Sequence, residues 1–198
     1  MNISEAIRTR HSVKIFKDTE PLSKETIEEL LEAAVWAPNH HHTEPWKFFV
    51  LTGDGRYQLV DAMKEWAHTR VEDPESESGK KRIEKISRKP LIAPTIIVIA
   101  LSPKQDSKKA IYIEDVSAVS AAIQNMLLEA HGKGLGAIWK SGPAYYAEPV
   151  KDLFNLREDE EILGAVFIGE SDMKKEVKRK RIPFEEKTVW FTDKNGEG

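Results

Sequence analysis

The stretch Val116–Gly142, VSAVSAAIQNMLLEAHGKGLGAIWKSG, decides the fold. Its first half belongs to a helix over Glu114–Ala130 whose interior is small or apolar almost all round. A helix with so little polar surface is packed on several sides or lies across a subunit interface. Gly132 offers a C-terminal cap, and Leu135–Trp139 then reads as a strand. Gly132-Lys133-Gly134-Leu135-Gly136 has the glycines of a nucleotide fingerprint in the wrong order. Such a loop follows a strand and opens a helix, so a helix cap with a tight strand entry is preferred here. Trp139-Lys140-Ser141-Gly142-Pro143 ends the strand, where ligand loops gather, and Gly142 permits close backbone approach.

Outward from this core, strands alternate with helices. Thr95–Leu101 (TIIVIAL) is a buried strand by composition, and Leu163–Ile168 is another, with a short helix at Lys151–Phe154 between it and the central segment. Trp46–Thr52 (WKFFVLT) is a strand closed by the turn Gly53-Asp54-Gly55, and an amphipathic helix follows over Arg56–Trp66. Ser23 caps a helix whose face is Ile27, Leu30, Leu31 and Ala34 and which stops before Pro38. Ile3, Ala6, Ile7 and Arg10 mark a short first helix. Charge-dense His68–Pro90, with Pro74, Ser76, Ser78 and Gly79, reads as an exposed and partly mobile excursion. Lys187–Phe191 (KTVWF) reads as a late strand without a partner, of the kind that pairs with a neighbouring chain. There is no internal repeat and no long linker.

Length and composition exclude several classes. At 198 residues, 40% hydrophobic, the chain can bury a real core without staples. It contains no cysteine, which removes disulfides, thiolate nucleophiles and Cys-ligated metals. A net charge of −3 does not suit a polyanion binder. The start, MNISEAIRTRH, is no secretory signal, and no apolar run spans a bilayer, so the default compartment is the cytoplasm.

Three constellations could carry chemistry. In Arg8–Lys14 (RTRHSVK), an extended chain after Arg10 puts Arg10, Ser12 and Lys14 on one side and Val13 and Ile15 on the other. A guanidinium, a hydroxyl and an ammonium on one face suit an anion, although a solvated basic stretch has the same composition. In Ala37–Trp46 (APNHHHTEPW), adjacent histidines diverge and no HExxH is present. The segment therefore reads as a polar ligand loop rather than a metal site, with Trp46 in the core. Lys174–Arg181 (KKEVKRKR) is surface charge, a weak nucleic-acid signal, or a source of phosphate ligands in Arg179 and Arg181.

Taken together, RTRHSVK with Phe16, APNHHHTEPWKFFVL at Ala37–Leu51, the Ala-rich helix running into HGKGLGAIWKSG at His131–Gly142, and RKRIPFEE at Arg179–Glu186 resemble the nitroreductase family of FMN-dependent oxidoreductases. Order and intervals match along almost the whole chain. The resemblance implies a single α+β domain over 1–198, a three-layer α/β/α sandwich in an intertwined homodimer. It also implies a variable lid at about 68–90 and a dimer-wrapping extension at about 171–198. FMN, held non-covalently at the subunit interface, would be contacted by Arg10, His11 and Ser12 on the phosphate and ribityl chain. Lys14 would lie near the N1/O2 edge, Asn39 and His40 in the flavin loop, Trp139, Lys140 and Ser141 along the ring, and Arg179 and Arg181 on the phosphate. Glu129–Gly134 aligns with a stretch that meets NAD(P)H. Glu44 departs from the glutamine that many members carry before Pro-Trp, and three histidines replace their Ser or Asn.

The function implied is ping-pong transfer from NAD(P)H to a nitroaromatic, quinone or similar acceptor, with the cofactor carrying the chemistry, no side chain required as acid or base, and no metal. The alternatives are a flavin-dependent dehydrogenase or dehalogenase on the same fold, and a non-enzymatic binder using the basic tail. Neither a nucleic acid nor a membrane is an expected partner.

Overall fold

One antiparallel sheet carries the fold. Its strands are β1 (Trp46–Thr52), β2 (Thr95–Leu101), β3 (Gly136–Lys140) and β4 (Glu161–Gly169), in the spatial order β1-β2-β4-β3. The computed structural model describes residues 1–105, 110–174 and 180–191. All seven residues of β2 are buried, as the unbroken apolar run TIIVIAL requires of a strand covered on both faces. Ile96 and Val98 enter one core with Leu59, Met63, Val150 and Phe167. Ile97, Ile99 and Leu101 enter the other with Leu30, Ala34, Ile123 and Met126. Each such side chain contributes about 1.5–3 kcal/mol when fully buried.

Two helical layers supply those partners. On one face lie α2 (Lys24–Val35) and α5 (Tyr112–Gly132), beside the short α1 (Ile3–Thr9). On the other lie α3 (Arg56–Arg70), α4 (Glu77–Ser87) and α6 (Glu148–Leu153). This is the expected three-layer α+β sandwich. Ser23 caps α2 as its position predicts, accepting the Thr26 N–H at 3.2 Å. The central helix is longer than the sequence pattern indicated, beginning at Tyr112. Its left-handed terminal residue is Gly134 (φ +77°), not Gly132, which is still helical. The turn closes when the Leu135 N–H donates to the Ala130 carbonyl at 2.9 Å.

A bulge in β4 sets the other notable glycine. Pairing with β2 shifts between Ile99 and Ala100, opposite Gly164 and Ile162. Gly164 has φ +136°, and a Cβ there would stand 2.4 Å from the Lys140 carbonyl oxygen. The indole N–H of Trp139 donates to the Leu163 carbonyl at 3.2 Å beside this bulge.

Two segments differ from the sequence reading. Residues 68–90 are not irregular chain. α3 runs on to Arg70, and Ser76 opens α4 by accepting the Gly79 N–H at 3.0 Å. Ile83 then packs against Ala67 and Val71. High charge density hid a helix with a narrow apolar stripe. The tail Lys187–Phe191 forms no strand: Phe184–Lys187 is a single 3-10 turn, and residues 188–191 lie exposed beyond it. Its large apolar side chains stand in water, Trp190 at 68% and Phe191 at 83% exposure. Among the described residues no helix is long and apolar enough to cross a membrane.

Candidate functional site

Two clusters of the sequence-picked residues form at opposite ends of α5. At its C-terminal end, α1 delivers the chain into an extended strap. Asn2 caps α1 by accepting the Glu5 N–H at 2.9 Å, and Arg10 leaves the helix at φ −58°, ψ 135°. Thr9 Oγ1 lies 2.8 Å from His131 Nε2, and the His11 ring meets the His131 ring edge-on at 6.4 Å. The strap then lies along β3. Ser12 bridges Ala137 in parallel, and the Val13 N–H donates to the Ala137 carbonyl at 3.0 Å. Gly136 makes this possible, because a Cβ there would stand 2.9 Å from the Val13 side chain. Arg10 and His11 line a cavity of about 230 Å³ with His131 and Gly134–Ala137.

The strap does not alternate as a regular strand. Val13 is buried, but Ile15 is 58% exposed and Phe16 takes the inward place instead. The chain turns after Lys14 to pair Phe16 with Ser171, and Lys17 binds Glu170 at 2.7 Å. Ser12 and Lys14 remain on the outer side, as the anion-site reading requires.

The parallel register carries Lys14 toward the end of β3. Lys140 Nζ lies 5.2 Å from the centroid of the Phe167 ring. Burial holds its ammonium pKa below the ordinary lysine value, and the charges of Lys89 and Lys14 lower it further. Lys89, in the turn after α4, was not singled out in the sequence, since it lies in the charge-rich segment with no motif around it. Among the described residues, Lys14, Lys89 and Lys140 have no acidic partner within salt-bridge distance. Three uncompensated cations on one rim favour an anion.

After β3, Ser141 is exposed and Gly142 adopts φ +132°, a conformation that favours glycine. The Tyr145 N–H donates to the Gly142 carbonyl at 2.9 Å. Its hydroxyl is buried without a hydrogen-bond partner among the described residues, and burial drives its pKa up. Trp139 is exposed at the edge of β3, its N–H engaged by β4.

At the N-terminal end of α5 sits the histidine loop. Asn39 Oδ1 accepts the Glu44 N–H at 3.0 Å, and its amide donates to the Ala37 carbonyl at 3.3 Å. His41, His42 and Glu44 all have positive φ, at 56°, 51° and 45°. Non-glycine residues in that region cost about 1–3 kcal/mol each and persist where surrounding contacts fix them. The contacts come from α5: His40 Nδ1 lies 2.6 Å from Glu114 Oε2, and Thr43 Oγ1 donates to the buried Asp115 Oδ1 at 2.8 Å. Trp46 packs against the α2–α5 core as expected.

The distance between the clusters follows from helix geometry. At about 1.5 Å per residue, Glu114 and His131 are about 25 Å apart. One chain therefore places Arg10, His11, Ser12, Lys14, Trp139, Lys140 and Ser141 along the strap and β3, with Asn39 and His40 at the other end of α5 from His131. Arg181 donates to the Lys180 carbonyl at 3.1 Å and has no described contact with the strap. Arg179 lies outside the described residues. Lys133, within the NAD(P)H-aligned stretch Glu129–Gly134, is paired with Glu29 and Glu129. Among the described residues no group of three His, Asp or Glu side chains is arranged to hold a metal.

Known proteins share this architecture. The family model described as "Nitroreductase family" matches residues 7–170. The Bacillus subtilis protein named "Putative NAD(P)H nitroreductase YfhC" is 30% identical over 186 residues, covering 93% of this chain and 92% of that protein. The crystal structure of the nitroreductase-like family protein from Bacillus cereus superposes with a TM-score of 0.80 at 34% identity, covering 98% and 97% of the two chains. The FMN and NADPH-dependent nitroreductase NfnB from Sphigopyxis sp. strain HMH superposes at 0.74 and 17% identity, covering 98% and 100%, a likeness of fold alone.

Proposed function

Because the chain belongs to the nitroreductase family, we propose that it is an FMN-dependent NAD(P)H oxidoreductase that reduces nitroaromatics, quinones or similar flat acceptors. The observation that carries this reading is the cationic rim on β3. Arg10 and Ser12 suit a phosphate, and Lys14, Lys89 and Lys140 present positive charge without acidic partners among the described residues. Bound there, FMN would accept a hydride from NAD(P)H and pass its electrons to the acceptor. The lysines would favour the negatively charged reduced cofactor and so raise its potential. Gly142 lets the backbone after β3 come close to a ring, and Trp139, held by β4, keeps that strand end rigid.

A second copy completes the site in this reading. Asn39 and His40 stand at the Glu114 end of α5, about 25 Å along the helix from His131 beside Arg10 and His11 in the same chain, and in a homodimer one chain's loop would meet the other chain's rim. The exposed apolar side chains Ile182, Phe184, Val189, Trp190 and Phe191 suit a segment that wraps the partner, and Arg181 would approach the phosphate on that path. The cytoplasm, where reduced nicotinamide is made, is the compartment of action, and α4 belongs to the lid that selects the acceptor.

The test is the visible spectrum of the purified protein before and after NAD(P)H under nitrogen. A yellow protein that bleaches, or a colourless one that binds added FMN and then bleaches, is expected. Failure to bind added FMN would overturn the proposal. Arg10→Ala is expected to raise the FMN dissociation constant more than Lys133→Ala, whose ammonium is already paired with Glu29 and Glu129. Equal constants would remove Arg10 from the phosphate site.

A further inference from the structure

The histidine loop contains more than a contact surface. An ionised carboxylate only accepts hydrogen bonds, so at 2.6 Å from Glu114 Oε2 the Nδ1 of His40 carries the proton. That fixes the ring: Nε2 is the nitrogen not engaged by Glu114, and it makes no hydrogen bond among the described residues. The side chains are 55% and 37% exposed, so solvent reaches the ring and water can reload it. The stacked His41 ring, centroids 3.7 Å apart, braces His40 from the side. Asp115, the neighbouring carboxylate, is engaged by Thr43, and the backbone N–H of Glu44 is held by Asn39. Three of the four residues that follow His40 have positive φ, and strain of this kind gathers at ligand sites.

We propose that His40, oriented by Glu114, is the proton donor to the acceptor. This rests on the FMN reading of the function, in which the loop of one chain faces the rim of the other. A quinone reduced to its hydroquinone gains one hydride and one proton. The hydride comes from NAD(P)H by way of the cofactor. The proton passes from His40 Nε2 to the quinone oxygen as the O–H bond forms and the N–H bond breaks, and bulk water then restores the imidazolium. His40 is a catalytic residue in this scheme. Glu114 is a positioning residue, acting only through the ring.

The experiment compares an acceptor that needs a proton with one that does not. Ferricyanide takes electrons alone, whereas 1,4-benzoquinone takes the proton as well. The ratio of the rates at which the reduced holoenzyme transfers electrons to quinone and to ferricyanide is measured by stopped flow. His40→Asn retains a donor to Glu114 and is expected to lower that ratio by about a hundredfold, the usual worth of a positioned general acid. Glu114→Gln is expected to lower it by about tenfold. A ratio unchanged in His40→Asn would overturn the proposal, even if both rates fall through weaker cofactor contact. Two readouts are independent of turnover. ¹⁵N spectra of the histidine rings in the apoprotein should show His40 protonated at Nδ1 in the wild type and a tautomer mixture in Glu114→Gln. An unchanged His40 signal in the variant would remove Glu114 from the scheme. FMN titration of each variant reports folding and loading, and a wild type that binds no FMN sinks the functional reading rather than the dyad alone.

Discussion

Glu160 and Glu114 are both carboxylates that fasten a loop to the sandwich, and they do it in opposite ways. Glu160 is fully buried. It accepts from Ser102 Oγ at 2.6 Å, the Arg157 backbone N–H at 2.8 Å, the Arg157 guanidinium at 2.9 Å and Lys47 Nζ at 3.3 Å. One side chain thereby ties β1, the end of β2 and the approach to β4. Glu114 makes one described side-chain hydrogen bond, to an exposed ring. Saturation and burial mark a structural carboxylate. A single exposed bond to a titratable ring marks one kept for its effect on that ring.

Glu160→Ala tests the buried member and carries the largest expected effect. It removes the shared acceptor of Ser102, the Arg157 backbone N–H, Arg157 and Lys47, and each buried hydrogen-bonding group left unsatisfied costs about 1–3 kcal/mol. Urea melts should show that loss directly. The pH dependence follows from the same contacts. Burial pushes the Glu160 carboxyl upward, but the bonds from Ser102, the Arg157 backbone and Lys47 outweigh it and hold it below the usual 4.5. Its stabilisation is therefore fully present above the unfolded value and is lost as pH falls through the folded one. Wild-type stability should decline below about pH 4.5, and Glu160→Gln should flatten that decline. Parallel curves for the two proteins would break the distinction drawn here.

Thr43→Val lies between the extremes. Valine keeps the volume and removes the hydroxyl that serves the buried Asp115 at 2.8 Å. An unsatisfied buried acceptor costs about 1–3 kcal/mol. The lower end is expected, because Asp115 sits in the first turn of α5, where the helix dipole eases a negative charge. Thermal unfolding measures it, and a loss equal to that of Glu160→Ala would mean the loop is anchored as firmly as the core.

The layers were legible in the sequence because they depend on local pattern. TIIVIAL has the composition of a doubly covered strand, and Ile27, Leu30 and Ala34 keep helical spacing above their Ser23 cap. The strap was legible in part: its cations were found, but Ile15 was placed with Val13 on the opposite face because alternation cannot foresee the turn that buries Phe16 and leaves Ile15 exposed. Lys89 and the Glu114 and Thr43 contacts were not legible. Each depends on residues far apart in sequence meeting at a helix end, and no spacing rule encodes that meeting. The histidine triplet was legible as a polar ligand loop, but nothing in APNHHHTEPW shows that α5 supplies the carboxylate for His40. α4 was hidden for a different reason, since its few apolar residues are outnumbered by charge.

Glu114→Ala is expected to change stability least and so tests the contrast at its weakest end. An exposed ion pair contributes at most about 1 kcal/mol, since water screens it and two side chains lose freedom to form it. Both partners here are more than a third exposed. The thermal midpoint should stay within a few degrees of wild type, well above that of Thr43→Val. The backbone strain at His41, His42 and Glu44 supports the same expectation, because Thr43 and Asn39 already hold the loop through buried and backbone bonds. A midpoint as low as that of Thr43→Val would show that Glu114 fastens the loop as Glu160 fastens its own. The single exposed bond would then be structural, and the carboxylate could no longer be assigned to orienting His40.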